Sequence, residues 1–343
     1  MKILIDARVL THDLATGVEN YAKSIIANIP NTCNITIAKP KYKNKYYRHF
    51  WEHFILPFKI FNHDILFCPA NIAPIFLPNK IKLILTLHDV SFITYKDSFS
   101  SFFRFYYNFL VPFNIKRANK IITVSNYSKN QITKYYPNIK NKIEVIYNGV
   151  DPIFKENKKI KKQNQILYVG SLNKRKNFNN LIKAFISLNS NTLKLKIVGN
   201  FSSNFKLDKN TYELLKQAKS NSNIYFLENV DNQSLVELYQ SSKIFIYPSF
   251  YEGFGLPILE SFSCMTPVIC SNTSSLKEVA QDSALYCNPY DVDDIKNKIK
   301  TLYEDNALQE SLVNKGKMQS SKFDWQNSAL EHISLFKKVI SEA

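Results

Sequence analysis

Short runs of apolar residues, bounded by polar residues or proline, recur through the first 150 positions of the chain. Each run is brief and uninterrupted, as expected for parallel strands that are buried on both faces. These strand-like runs are residues 3–5, 65–67, 84–87, 121–124 and 143–146. Tyr21, Ile25 and Ile26 recur instead at helical spacing and predict a helix over residues 19–28. Ser125 is placed to cap a further helix that begins near Tyr127.

The alternation stops at residues 155–164, which are charged and almost devoid of apolar side chains. Such a composition is typical of a linker between domains. A helix is expected from about Asn179. Beyond the linker, strand-like runs resume at residues 166–169, 195–198, 224–227, 244–247 and 268–270. Two such series in a chain of 343 residues indicate an α/β protein with two doubly wound parallel sheets.

The chain has no stretch that approaches the roughly 18 to 20 apolar residues of a membrane-spanning helix. Its opening apolar run meets an acid at Asp6, which favours a first strand over a signal peptide. The five cysteines include no Cys-x-x-Cys pair, which disfavours a zinc site or a disulfide framework. We therefore expect a cytoplasmic protein, either soluble or peripherally attached to the inner face of the membrane.

Positive charge is concentrated in the first half of the chain. Residues 1–150 contain 20 Lys or Arg against 8 Asp or Glu, whereas residues 151–343 contain 25 against 20. An anionic partner of the first half would explain this excess, and a membrane surface, a nucleic acid or a phosphorylated acceptor would each qualify. A general drift of composition toward Lys, Asn and Ile explains it equally well.

Glycine is scarce, with seven residues in the whole chain. Most of them stand at or beside turns that follow predicted strands, where α/β proteins bind their ligands. Glycine at such a turn lets the backbone approach a phosphate closely. Ordinary turn geometry explains any single one of these positions. The positions are Gly17, Gly149, Gly170, Gly199, Gly253 and Gly255.

The segment of residues 249–260 is the most informative. It places Glu252 and Glu260 eight positions apart, with a Gly-x-Gly loop between them and a predicted helix beginning near Leu256. Loop amides and a helix N-terminus suit phosphates, and carboxylates accept hydrogen bonds from sugar hydroxyls. The alternative is a simple helix start with acidic residues in its first turn.

With its Gly-Phe-Gly-Leu-Pro core, this segment resembles the signature of the family 4 retaining glycosyltransferases of the GT-B fold, of the bacterial surface-polysaccharide type. Other segments resemble the family in the same order along the chain, namely residues 87–89, 123–128, 146–151, 168–177 and 324–325. The resemblance implies two Rossmann-like domains facing a central cleft. Residues 1–155, completed by a C-terminal helix at about 325–343, would form the acceptor-side domain, and residues 163–324 would bind the donor.

The resemblance also implies roles for individual residues. Arg175 and Lys176 would neutralise the donor diphosphate, Glu252 would bind the transferred sugar, and His88 would bond to the sugar or the acceptor. Glu260 would bind the ribose. The remaining donor-binding positions would be Gly17, Gly170, Ser171, Gly253, Phe254, Gly255 and Leu256.

Two positions depart from the family pattern. Many members have a basic residue where this chain has Ser171, so that function would fall to Lys174 or Arg175. Many also have paired glycines in the first loop, where this chain has Gly17 alone.

The function implied is retaining transfer of a hexose, such as mannose or glucose, from a nucleoside-diphosphate sugar. The acceptor would be a saccharide or a polyprenyl-diphosphate-linked oligosaccharide, as in O-antigen, capsule or lipopolysaccharide biosynthesis. The resemblance implies no cofactor and no metal site. A GT-B-fold epimerase or phosphorylase is the nearest alternative. A basic nucleic-acid-binding protein is more distant, since no motif of that kind is evident and we expect no nucleic-acid partner.

Residues 41–61 and 99–120 are rich in both aromatic and basic side chains. They could rest in an anionic lipid headgroup layer or form ordinary buried helix faces. Glu252 is expected to contact ligand and not the core, so Glu252→Ala should abolish transfer without disturbing the fold.

Overall fold

The computed structural model describes residues 1–11, 17–199 and 209–342. Over these residues the chain divides into two compact units, each with its own parallel sheet. Unit 1 comprises Met1–Thr94, Ser101–Gly149 and Asp324–Ala343, and unit 2 comprises Tyr95–Ser100 and Val150–Phe323.

In the described part of unit 1, six parallel strands lie in the order β2-β1-β3-β4-β5-β6. The strands are β1 (Lys2–Asp6), β2 (Asn34–Ala38), β3 (Ile65–Cys68), β4 (Lys82–Thr86), β5 (Lys120–Thr123) and β6 (Ile143–Val145). Strand β3 is buried along its whole length, and β1, β4 and β5 are buried beyond their first residue, because helices cover both faces of the sheet. The strand order reverses beside β1, so the loops after β1 and β3 border the crevice where such sheets bind ligands.

The helices of unit 1 follow the predicted alternation. They are α1 (Gly17–Asn28), α2 (Lys45–Phe50), α3 (Leu56–Lys59), α4 (Ser91–Thr94), α5 (Ser101–Arg117) and α6 (Asn126–Tyr135). A π-helical turn over Trp51–Ile55 joins α2 to α3. Ser125 caps α6 as predicted, since its Oγ accepts a hydrogen bond from the amide of Ser128 at 3.0 Å.

The described part of unit 2 likewise contains six parallel strands, in the order β12-β11-β10-β7-β8-β9. They are β7 (Gln163–Val169), β8 (Lys194–Val198), β9 (Ile224–Leu227), β10 (Ser242–Tyr247), β11 (Val268–Ser271) and β12 (Ala284–Cys287). The strand order reverses between β7 and β10. The loops that follow these two strands therefore border a ligand-binding crevice in the sense described for unit 1.

Helices cover the sheet of unit 2 and enclose its apolar core. They are α7 (Phe178–Ser187), α8 (Lys209–Ser220), α9 (Asn232–Ser241), α10 (Leu256–Ser263), α11 (Leu276–Ala280), α12 (Val292–Glu304) and α13 (Asn306–Ser320). Ile166, Leu181, Ile197 and Ile295 are fully buried in that core. Across the described residues of both units, no helix combines the length and the apolar character needed to cross a bilayer.

The final helix, α14 (Trp325–Ser341), packs in unit 1 and not in unit 2. Asp324 caps it by accepting a hydrogen bond from the amide of Gln326 at 3.1 Å. A Cβ atom on Gly149 would lie 2.2 Å from the amide nitrogen of Trp325, so glycine is required for this close approach.

Tyr21 of α1 bonds directly to α14 within unit 1. Its hydroxyl lies 2.6 Å from Nε2 of His332 and 2.9 Å from the Thr86 hydroxyl. Nδ1 of His332 must donate to the Ser328 carbonyl, so Nε2 accepts the proton of Tyr21. Burial lowers the pKa of His332 to about 4, which is consistent with this neutral tautomer.

Candidate functional site

Two loops of unit 2 are tied together where β7 and β10 end. After β7, Lys174–Lys176 form a short 3-10 turn that is capped by the side chain of Asn173. Asn177 follows in the left-handed region at φ 56°, and its side-chain Nδ2 donates to the Pro248 carbonyl at 2.9 Å. The Phe250 amide also donates to the Arg175 carbonyl at 2.9 Å. These bonds hold the basic turn against the loop that contains Glu252.

Glu252 lies between the two predicted phosphate-binding cations. The Lys176 ammonium is 2.7 Å from Oε1 and 2.9 Å from Oε2 of the carboxylate, and it also donates to the Tyr247 hydroxyl at 2.6 Å. Arg175 approaches Oε2 at 3.3 Å and donates to the Tyr251 carbonyl at 2.7 Å. The structure therefore brings Arg175, Lys176 and Glu252 into one charged cluster.

The two cations determine the ionisation of Glu252. Burial alone would raise the pKa of Glu252, but the Lys176 ammonium and the Arg175 guanidinium outweigh it and lower the pKa to about 2. Glu252 is therefore ionised throughout the neutral range. Proton transfer by this residue is disfavoured, whereas accepting hydrogen bonds from hydroxyl groups is favoured.

The backbone conformation of the Gly-x-Gly loop requires a glycine at position 255. Gly255 adopts φ 117°, which L-residues rarely adopt, and helix α10 begins directly after it at Leu256. The hydroxyl of Ser275 donates to the carbonyls of Glu252 at 2.9 Å and Phe254 at 2.8 Å. Because these carbonyls are already bonded, the loop is held in place before any ligand arrives.

Glu260 lies farther along α10 and has different surroundings. It is buried and accepts a hydrogen bond from the Tyr239 hydroxyl at 2.8 Å. Burial raises its pKa to about 7; the Tyr239 bond opposes this shift, and the charge of Asp151 adds to it. The two glutamates of the motif thus differ by about five units in pKa, because two cations contact Glu252 and none contacts Glu260 at comparable distance among the contacts described.

Gly170 and Ser171 follow β7 directly. A Cβ on the neighbouring Gly199 would lie 2.0 Å from the Gly170 carbonyl oxygen, so these two strand ends approach more closely than side chains would allow. Ser171 is exposed, and its Oγ accepts a hydrogen bond from the side-chain Nδ2 of Asn173 at 2.8 Å. This arrangement leaves the Ser171 hydroxyl proton available to a ligand.

His88 belongs to unit 1, two residues after β4. Its Nε2 lies 2.9 Å from the Pro69 carbonyl and must donate to it, which leaves Nδ1 as an acceptor. Burial lowers the pKa of His88, and the Pro69 carbonyl only partly offsets this effect. The imidazole is thus a neutral hydrogen-bond acceptor that packs edge-on against Tyr21 with 4.8 Å between ring centroids.

Gly17 is the first residue of α1 and also belongs to unit 1. A Cβ added there would meet nothing within 4 Å. The turn expected at Gly17 begins within residues 12–16, which lie outside the described residues.

Several residues around Glu252 were not predicted from the sequence. Tyr247 bonds Lys176, Tyr239 bonds Glu260, and Ser275 holds the glycine loop. Tyr95 packs its ring 5.2 Å from that of Tyr251. Tyr247 closes strand β10 and brings a hydroxyl group after the apolar run of residues 244–246, and this position at a carboxyl end could have identified it.

A second cluster lies in unit 1, within residues 41–61, where no such histidine cluster was expected from the sequence. His49, Glu52 and His53 have the His-x-x-Glu-His spacing, and their ligand atoms lie within 4.8 Å of one another. Arg8, however, lies 3.1 Å from the Glu52 carboxylate, and the Tyr106 hydroxyl lies 2.6 Å from His53. Since the guanidinium already neutralises the buried carboxylate, this cluster is better described as an internal ion pair than as a cation site.

Two family profiles together span nearly the whole chain. The profile described as Glycosyltransferase Family 4 matches residues 6–154, and the profile described as Glycosyl transferases group 1 matches residues 150–319.

Individual relatives agree. O-antigen chain mannosyltransferase B of Escherichia coli is 30% identical over 276 residues, which cover 76% of this chain and 72% of the relative. O-antigen chain mannosyltransferase RfbU of Salmonella typhimurium is 33% identical over 218 residues, covering 64% of this chain and 60% of the relative.

Among solved structures, HepE of Anabaena in complex with UDP-glucose superposes with a TM-score of 0.78 at 16% identity, covering 97% of this chain and 99% of that one. This likeness concerns the fold. The two parallel sheets, the matched profiles and the mannosyltransferase similarity together show that this chain belongs to the family 4 glycosyltransferases of the GT-B fold.

Proposed function

We propose that the enzyme transfers a hexose, with retention of configuration, from a nucleoside-diphosphate sugar that binds at the ends of β7 and β10. The observation that supports this most directly is the convergence of Lys176 and Arg175 on Glu252. Two cations suit a diphosphate, and an ionised carboxylate suits sugar hydroxyls. The diphosphate and the transferred sugar would then both bind beside this one charged cluster.

The other residues at these strand ends would contact further parts of the donor. Amides of Gly253, Phe254, Gly255 and Leu256 would meet the sugar or the phosphates at the N-terminus of α10. Glu260 would accept hydrogen bonds from the ribose hydroxyls. From the other strand end, Gly170 and Ser171 would meet the phosphates.

Unit 1 would supply Gly17 beside the phosphates and His88 beside the reacting sugar. His88 would act through Nδ1, which accepts a hydrogen bond from a hydroxyl group. The leaving diphosphate gains negative charge as the glycosidic bond breaks, and Arg175 and Lys176 would stabilise that charge. We propose that these two cations take the place of a metal ion and that no cofactor is needed.

The relatives suggest the donor and the pathway. The similarity to O-antigen chain mannosyltransferases favours mannose as the transferred sugar. Glucose is the alternative, because HepE binds UDP-glucose. We propose a saccharide or a polyprenyl-diphosphate-linked oligosaccharide as the acceptor, within O-antigen, capsule or lipopolysaccharide synthesis. Such an acceptor would place the enzyme at the cytoplasmic face of an anionic membrane.

Thermal unfolding in the presence of nucleotides tests the donor site. UDP, GDP, ADP, CMP and TDP would be compared in EDTA, followed by the mannose and glucose donors. We expect one diphosphate to raise the Tm selectively, because a ligand that binds only the native state stabilises it. Absence of any shift in a cooperatively melting protein would contradict the donor site.

Product analysis then tests the reaction. With the selected donor and a membrane extract as acceptor, the sugar should become linked with unchanged anomeric configuration. Turnover of the donor without any acceptor, with an altered sugar as product, would instead indicate an epimerase.

A further inference from the structure

Helix α5 differs from a usual surface helix because its outward side also presents apolar residues. Its outward positions, spaced three or four residues apart, are Phe102, Phe105, Phe109 and Phe113, which are between 45% and 73% exposed. Leu110, one of its inward residues, is buried as expected. A helix on a protein surface normally turns polar side chains outward. Four outward phenylalanines in one row therefore require an explanation other than packing within unit 1.

The helical run from α2 through α3 likewise presents aromatic residues on its outward side. Tyr46, Phe50, Phe54 and Phe58 follow one another at intervals of four residues and are between 51% and 77% exposed. Phe61 continues the row beyond the end of α3. On the opposite side of this run, Trp51 and Leu56 are buried.

The two rows belong to one surface. A groove of about 480 Å³ lies between them and is lined by Phe58 and Phe61 from one row and Phe113 from the other. Phe76, Pro57 and Pro78 complete its apolar walls. We call the nine outward aromatic residues of the two rows, with this groove, the aromatic face. Exposed apolar areas of this extent mark interaction sites in proteins.

The charged residues of the segments that form the aromatic face are almost all basic. Residues 41–62 and 99–120 contain Glu52 as their single acid, and Glu52 is fully buried against Arg8. The same segments contain nine basic residues, namely Lys41, Lys43, Lys45, Arg48, Lys59, Arg104, Lys116, Arg117 and Lys120. Lys59 and Lys116 are exposed beside the two aromatic rows.

We propose that the aromatic face seats unit 1 on an anionic lipid leaflet, with the phenyl rings in the headgroup layer and one hydrocarbon chain in the groove. Phenylalanine side chains of interfacial helices bury at the boundary between headgroups and acyl chains, and nearby lysines are attracted to anionic headgroups. A second copy of the chain fits the face poorly, because pairing would oppose two sets of like charges. This inference rests on the proposed lipid-linked acceptor and identifies the surface that would bring the enzyme to it.

Vesicle sedimentation tests the proposal. The full chain would be mixed with phosphatidylcholine vesicles, with or without about 30% phosphatidylglycerol. We expect binding to the anionic vesicles that weakens as salt is added. The double variants Phe105→Ser/Phe109→Ser and Phe54→Ser/Phe58→Ser should each bind at least about tenfold more weakly. Leu330→Ser is the matched control, since Leu330 is an exposed apolar residue of α14 in the same unit.

Independent measurements separate this inference from the proposed function. The thermal shift with nucleotide should be the same in wild type and in all these variants, because none alters the cluster around Glu252. Wild type that binds nucleotide but not anionic vesicles would overturn the membrane proposal alone. Vesicle binding without any nucleotide effect would support the membrane surface and contradict the donor site. If the variants bind vesicles like wild type but dissociate a dimer in sedimentation velocity, the face is a subunit interface and the proposal fails.

Discussion

The ammonium group of Lys176 lies within 2.9 Å of both carboxylate oxygens of Glu252. A carboxylate thus already neutralises the cation to which we assign the donor diphosphate. Any diphosphate that binds Lys176 must share it with Glu252. This relationship gives the two residues opposite expected effects on nucleotide binding, even though we expect both to be needed for transfer.

Glu252→Gln removes the negative charge and keeps the shape of the side chain. We expect kcat/KM for transfer to fall by at least about 100-fold, because the amide accepts sugar hydroxyls less strongly. Nucleoside diphosphate should bind at least as tightly as to wild type, because Lys176 and Arg175 lose their internal competitor. Calorimetric titration measures this affinity, with the exposed Glu310→Gln as control. A parallel loss of diphosphate affinity and activity would contradict the competition.

Glu252→Ala should also destabilise unit 2, contrary to the expectation from sequence. That expectation took Glu252 to contact ligand only, whereas its side chain is 8% exposed and pairs with two cations that are themselves largely buried. Truncation leaves these cations without their partner, which we expect to lower the free energy of unfolding by about 3 kcal/mol. Chemical denaturation measures this. Adding Lys176→Met should recover part of the loss, and full additivity of the two changes would argue against the ion pair.

Lys176→Met should separate binding of phosphate from binding of nucleoside. We expect the affinity for the nucleoside diphosphate to fall at least about tenfold, since a charge-assisted contact is lost, while affinity for the nucleoside stays within about twofold. Lys174→Met is the matched comparison, because Lys174 is an exposed residue of the same turn. A larger loss in Lys174→Met would transfer the phosphate role to Lys174.

Glu260 should make stability and nucleotide binding depend on pH. Its pKa is about 7 in the folded chain against 4.5 as the ordinary value. Between these values the unfolded chain ionises and the folded one does not, so stability should fall by up to about 3 kcal/mol as pH rises from 4.5 through 7. Glu260→Gln should reduce that fall.

Affinity for the nucleotide should rise over the same range in wild type, because ionised Glu260 accepts ribose hydroxyls more strongly. Denaturation and titration across this range measure both effects. Identical pH profiles in wild type and Glu260→Gln would show that Glu260 is not the titrating group.

Gly149→Ala should destabilise unit 1, because the added methyl would overlap the backbone of Trp325 at 2.2 Å. We expect a loss of at least about 3 kcal/mol, since a clash with backbone cannot be relieved by a rotamer change. Gly17→Ala is the control, because its Cβ would meet nothing within 4 Å. A small effect on stability but weaker donor binding in Gly17→Ala would support the predicted role of Gly17. Equal stability of both variants would contradict the close packing of α14.

The central strands were predictable from sequence because they are buried on both faces and appear as unbroken apolar runs. Strand β2 was missed, since this edge strand is largely exposed and its sequence alternates. β12 was also missed, because Ala284–Cys287 contains no β-branched residue that would mark it as a strand.

In the same way, the motif residues Arg175, Lys176 and Glu252 were predictable, but their partners were not. Tyr239 and Ser275 reach the motif through the fold, from 21 positions before Glu260 and 23 positions after Glu252, whereas Tyr247 closes the strand that leads into the motif. The pKa difference between Glu252 and Glu260 likewise depends on burial and neighbours, which the spacing of the motif does not contain.

The bond between Tyr21 and His332 joins residues that are 311 positions apart. During synthesis, strands of unit 1 leave the ribosome early, but α14 follows only after all of unit 2. At 5–20 residues per second this delay lasts roughly 10 to 30 s. During this delay the surface around Tyr21 stays open, because the helix that covers it has not yet been synthesised. We therefore expect the nascent first half to depend on protection from aggregation until its last helix arrives.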